Sequence, residues 1–202
     1  MYSTKTATTN NQEFTSSFMP VGINDNVYLK EINVQKSPTN KDFIEIIFEN
    51  ETGQTVKMSE WKNEKNMWIK TDEDLQNRDN QQFGRLLQIV KCFYEEMPEF
   101  EGSSFLEMIT WIKNILSQKG EWDKNPLRLK IIYDKNGYTK VSTNGIFVEP
   151  MTTTESQIKL WKRDLLERPI VADTETTTDP FADVTSSTSV TETQTGADDL
   201  PF

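Results

Sequence analysis

Between residues 26 and 61, three runs place apolar side chains on one parity. In NVYLKEINVQK (26–36), Tyr28, Ile32 and Val34 share one parity. In DFIEIIFENE (42–51), Ile44, Ile46 and Phe48 alternate with Phe43, Glu45, Ile47 and Glu49, which predicts a strand buried on one face and partly on the other. TVKMSEW (55–61) alternates again. The turn-prone SPTN and the pair Thr52-Gly53 separate these runs, so three antiparallel strands joined by short hairpins are expected.

The period then becomes helical. Phe83, Leu86, Leu87, Val90, Phe93, Tyr94 and Met97 follow the i, i+3, i+4 rule, and Pro98 stops the run. In SSFLEMITWIKNILSQKG (103–120), Ser104 and Glu107 form a capping box, and Gly120 supplies a C-terminal stop. Phe105, Ile109, Ile112 and Leu116 make the buried stripe; core packing is the expected role of these aromatics, and Trp111, off the main stripe, has a partner surface as its alternative. Strand period returns in PLRLKIIYDKNGYTKVSTNGIFVEP (126–150). Leu127, Leu129, Ile131 and Tyr133 share one face, and Arg128, Lys130 and Ile132 the other. Asn136-Gly137 is a strong hairpin signal. A final stretch, ESQIKLWKRDLLERP (155–169), has helical spacing at Ile158, Trp161 and Leu165.

Three strands, two helices and two or three further strands predict a mainly β protein with a helical insertion. The pattern fits an OB-fold-like five-stranded barrel enlarged by two helices; an antiparallel sheet packed on two helices is the competing architecture.

Composition divides the chain into three zones. Residues 1–20 are polar and predict a flexible arm; residues 21–170 hold nearly all the large apolar side chains; residues 171–202 are rich in Thr, Ser and Asp and are expected to be disordered. Apolar residues make up 35% of the chain, below the ~45–50% usual for globular proteins. Net charge is −10, but seven of the 32 acids and none of the 22 bases lie from Val171 onward. The body is therefore close to neutral and can carry a basic face. No apolar run is long enough to span a bilayer, and the opening MYSTKTATTNNQEFTSSFMP has no hydrophobic core segment, so no membrane association and a cytoplasmic location are expected. Cys92 is alone and there is no His, which argues against a structural zinc site and against His-based catalysis; no cofactor is expected. The acids Asp72, Glu73, Asp74 and Asp79 read as helix N-terminal charges rather than as a nuclease metal cluster. A non-enzyme is expected.

The chain ends in GADDLPF. A long acidic stretch finishing in DDLPF resembles the tip of bacterial single-stranded DNA-binding proteins. That resemblance implies docking of replication and repair proteins such as polymerase, primase, helicase or nuclease. It assigns Asp198 and Asp199 to basic side chains on a partner, Leu200 and Pro201 to spacing, and Phe202 to an apolar pocket. The body looks more like phage-encoded single-stranded DNA-binding proteins, and the stretch GINDNVYLKEINVQKSPTNKDFIEIIFENETGQTVKMSEW is similar to their opening strands. The departure from the bacterial pattern argues against its tetramer, so a monomer or dimer is expected. A function in phage DNA replication, recombination and repair follows from the resemblance; a protein-binding module that mimics such a tip without binding DNA is the alternative.

Binding unpaired strands without sequence preference needs cations for phosphates and aromatic faces for bases. Two stretches interleave both: Lys57, Trp61, Lys62, Lys65, Trp68 and Lys70 in the first, and Arg128, Lys130, Tyr138 and Lys140 in the second, with Lys135 at the hairpin. These are the expected DNA contacts.

Overall fold

The computed structural model describes residues 17–169, all within the unit Met1–Ile170; a second unit, Val171–Phe202, lies outside them. The protein is mainly β. One antiparallel sheet is built from β1 (Gly22–Lys36), β2 (Asp42–Asn50), β3 (Thr55–Trp61), β4 (Leu127–Tyr133), β5 (Thr139–Val141) and β6 (Val148–Pro150). Two helices, α1 (Asp72–Lys91) and α2 (Phe105–Lys119), sit between β3 and β4 in sequence. Strand order along the sheet is β3-β2-β1-β4-β5, with β6 also on β4.

The alternation in β2 and β3 is realised as expected. Ile44, Ile46 and Phe48 face Val56 and Met58 in the core, all buried. A fully buried side chain of this size stabilises the fold by roughly 1.5–3 kcal/mol. In β1 the parity expected from Tyr28 does not hold. Val27 and Leu29 point inward together with Ile32, because the pairing with β2 slips between Leu29 and Glu31. One extra residue at a bulge reverses which parity faces the core.

β5 and β6 are one edge strand broken in two. β5 pairs with Ile131–Tyr133 and β6 with Leu127–Leu129, on the edge of β4 opposite β1. At the break, Ser142 N–H donates to the Lys130 carbonyl (2.9 Å) and Lys130 N–H donates to the Phe147 carbonyl (2.8 Å), so the residues between them loop out. This loop makes six strands of the expected five.

Both helices begin with capping boxes. Thr71 accepts from Asp74 N–H, and Ser104, as expected, accepts from Glu107 N–H. α1 ends at Lys91, short of the Met97 expected from its stripe: the chain leaves the helix at Cys92, whose N–H reaches the Ile89 and Val90 carbonyls. α2 packs on β1 and β2, and α1 on α2 and β6. Trp111, half-buried, packs against the core: it meets Phe100 (4.8 Å between centroids) and Phe83 (6.1 Å).

One zone limit and one expected element change. Met19, placed by composition in the polar arm, is fully buried, and Thr55 N–H donates to the Ser17 carbonyl at 3.1 Å, so the ordered body begins before residue 20. Residues 155–169 form no helix. Tertiary anchors hold this segment instead: Gln157 N–H donates to Glu149, and Tyr133 N–H donates to the Leu165 carbonyl (2.8 Å).

Candidate nucleic-acid interface

β3 and the loop that follows it present the first group of candidates. Trp61 ends the outward-facing row of β3 and stacks on its cross-strand neighbour Phe43, with centroids 4.3 Å apart and planes 18° apart. Phe43 covers one indole face, and Trp61 remains 45% exposed. A supported ring with one free face suits stacking.

Loop 62–70 is pinned at several points. Asn63 donates to Asp79 (2.9 Å) and Gln82 (3.2 Å) on α1. Lys41 of the β1–β2 turn pairs with Glu64 at 2.6 Å, and that bond with its attached charge lowers the Glu64 carboxyl below its ordinary value. Asn66 and Ile69 exchange backbone hydrogen bonds, the Asn66 side chain accepts from Trp68 N–H at 2.8 Å, and Ile69 is buried. The tight turn therefore pushes Met67 and Trp68 outward, 73% and 82% exposed. A Trp so exposed on a tethered loop loses little entropy when a base stacks on it.

Four lysines surround these rings. Lys57 pairs with Glu45 (3.2 Å) and Lys65 with Asp72 (2.7 Å). Among the described residues no carboxylate comes within ion-pair distance of Lys62 or Lys70. Exposed pairs are worth about 0–1 kcal/mol, so Lys57 and Lys65 can also exchange their partners for phosphate. Beneath them, Glu60 is buried and held by Arg85 (2.6 and 2.8 Å) and by Gln82 (2.9 Å), which ties α1 to the end of β3.

The second group is divided by the fold. Tyr138 is 64% exposed at the β4–β5 turn, where Asp134 accepts from the N–H groups of Asn136 and Tyr138, and Gly137 takes a φ of +78°. Lys135 and Lys140 are exposed. Lys140 lies on β5, whose Cα atoms come within 8 Å of those of β3, although the two strands are at opposite ends of the strand order.

Lys130 and Arg128 do not present the free cationic face expected of them. The Lys130 side chain is fully buried: its Nζ donates to the carbonyls of Asn144 (2.7 Å) and Lys159 (2.9 Å) and pairs with Asp164 at 3.3 Å. Asp164 also accepts from Trp161 N–H (2.8 Å), Asn144 (2.7 Å) and Ser142 (3.4 Å). Burial alone would raise the Asp164 carboxyl; these hydrogen bonds and the Lys130 charge outweigh it and hold it below its ordinary value. Arg128 bridges Asp25 and Glu149, each at 2.7 Å. Segment 155–169 covers the second face of β4, which explains why a strand predicted to be half-solvated is buried on both sides.

Phe43 and Met67 lie beside these candidates, Phe43 stacked on Trp61 and Met67 next to Trp68, and were not singled out by the sequence. Phe43 reads as a half-buried strand residue until its cross-strand partner is known. Asp198, Asp199, Leu200, Pro201 and Phe202 lie outside the described residues, as does the arm before residue 17. Among the described residues no group of three or more acids and cysteines is placed to hold a metal ion, and no helix is long and apolar enough to cross a membrane. Comparison with protein-family models and with curated proteins returns no match.

Proposed function

We propose that the protein binds single-stranded DNA without sequence specificity, as a non-catalytic component of replication, recombination and repair. The observation that carries this is the pinned loop 62–70, which holds Trp68 and Met67 in solvent among Lys62, Lys65 and Lys70, beside the stacked Trp61. Aromatic faces supply sequence-tolerant stacking, and the lysines supply the phosphate contacts.

The topology supports the same conclusion. Strand order β3-β2-β1-β4-β5, with β3 and β5 close to each other, is consistent with an OB-fold-like core, in which helices between the third and fourth strands would enlarge the usual helical element. OB-folds take single strands on the face of strands two and three and between the β1–β2 and β4–β5 loops. Those positions hold Phe43, Lys57 and Trp61, the Ser37–Lys41 turn, and the turn bearing Lys135 and Tyr138. The acidic stretch with Asp198, Asp199, Leu200, Pro201 and Phe202 would recruit polymerase, primase, helicase or nuclease.

The test is retention of labelled oligo-dT on a filter with unlabelled duplex as competitor. Retention that survives duplex and falls steeply with salt is expected. No retention at low salt would overturn the proposal in favour of a module that binds only proteins.

A further inference from the structure

The segment after the last strand has its own concentration of cations and rings. Between residues 159 and 168 stand Lys159, Lys162, Arg163 and Arg168, all exposed, in a chain of net charge −10. Two acids accompany them: Asp164 is buried and neutralised by Lys130, which leaves Glu167. Trp161 is 49% exposed, and the Arg163 guanidinium lies 5.8 Å from the centre of its ring. A side chain at Gly145, where φ is +64°, would meet the indole at 3.3 Å, so glycine keeps room for the ring. Beside it opens a cleft of about 560 Å³ bordered by Ile146, Glu155, Gln157 and Lys159. Arg168 packs over Gly137, next to the exposed Tyr138.

We propose that segment 159–168 is a second contact for single-stranded DNA, with Trp161 as its stacking ring and Lys159, Lys162, Arg163 and Arg168 as its phosphate ligands. This rests on the function proposed above and extends its path beyond β3 and loop 62–70. A cation over a ring places the two groups that a nucleotide requires at one point. The exposed Leu160, Leu165 and Leu166 would also suit a protein partner, but four cations against two uncompensated acids, Glu155 and Glu167, favour a phosphate backbone. Lys130 then serves as a positioning residue: through Asp164, which holds Trp161 N–H, it fixes the segment that carries the ring.

Full-length wild type, Trp161→Ala and Lys162→Gln/Arg163→Gln would be titrated with oligo-dT of about 8 and about 30 nucleotides, short and long against the footprint of one OB-fold. Thermal melts would confirm that the exposed substitutions leave the fold intact. On the long strand, Trp161→Ala is expected to lose about fivefold or more in affinity. The double variant is expected to flatten the slope of log K against log salt by about 1.4. Binding of the short strand, held at Trp61 and Trp68, should not change. If wild type binds both strands and the variants match it on each, segment 159–168 is a protein-facing surface and this inference fails alone. If wild type binds neither strand, the function itself fails and the inference with it.

Discussion

Replacing Asp164 by Ala should loosen the whole segment after β6. The carboxylate lies between four donors: Lys130 Nζ, Trp161 N–H, Asn144 Nδ2 and Ser142 Oγ. Its loss leaves the Lys130 ammonium buried with only the Asn144 and Lys159 carbonyls, dipoles that cannot balance a full charge. Removing one member of a buried ion pair costs about 3–5 kcal/mol. For a chain of 202 residues each kcal/mol lowers Tm by roughly 2–4 °C, so a drop of about 6–20 °C is expected. Lys130→Met should cost less, because the remaining carboxylate keeps three donors. Calorimetry or circular dichroism gives the global effect. Limited trypsin digestion gives the local one, since Lys159, Lys162 and Arg163 all lie on the segment. A Tm change under about 2 °C for Asp164→Ala, with cleavage at these sites no faster, would refute the reasoning. So would a larger loss in Lys130→Met than in Asp164→Ala.

Because the folded Asp164 carboxyl lies below its unfolded value of about 3.9, its contribution is complete above that pH and is lost as pH falls through the folded value. Wild type should lose more Tm than Asp164→Asn between about pH 5 and pH 3, and parallel curves would contradict this. Cys92 is pushed up to about 12, by burial first and the Glu149 charge second, and its thiol donates to the Gln88 carbonyl at 3.3 Å. Alkylation at about pH 8 should be slower by about a thousandfold in the native protein than in denaturant, and equal rates would exclude a buried thiol. The same shift adds stability below about pH 8.5 that fades as pH rises towards the folded value, which melts across the alkaline range would detect. Glu60→Ala should destabilise by about 3–5 kcal/mol by leaving Arg85 without its carboxylate, and Arg85→Met together with Glu60→Met should recover much of the loss in denaturant titrations.

Part of the fold could be read from local pattern. β2, β3 and the Ser104–Glu107 cap declared themselves because alternation and capping are local properties of the chain. β1 misled because a bulge at Lys30 leaves no mark in the apolar pattern, so Tyr28 stood in for Val27 and Leu29. Residues 155–169 misled for a different reason. Their spacing at Ile158, Trp161 and Leu165 is helical, but the buried anchors are Ile158 and Asp164, and Asp164 is polar. A hydrophobic pattern cannot register an anchor that works through an ion pair. Lys130 is the counterpart of that error: on a strand half exposed to water it would be a free cation, and only the covering segment makes it structural. Trp68 was legible because a large ring in so polar a stretch has few places in a core. The support that Phe43 gives Trp61 depends on strand register, which the sequence leaves open.

The central claim, that exposed tryptophans on and after β3 take unpaired bases, is tested most directly by indole fluorescence during titration with oligo-dT in dilute buffer. Wild type should be quenched and should recover as salt is added. Trp61→Ala and Trp68→Ala should each retain only part of the quench and lose about fivefold or more in affinity. An emission that stays constant through the titration, or a full quench that survives removal of both rings, would contradict it.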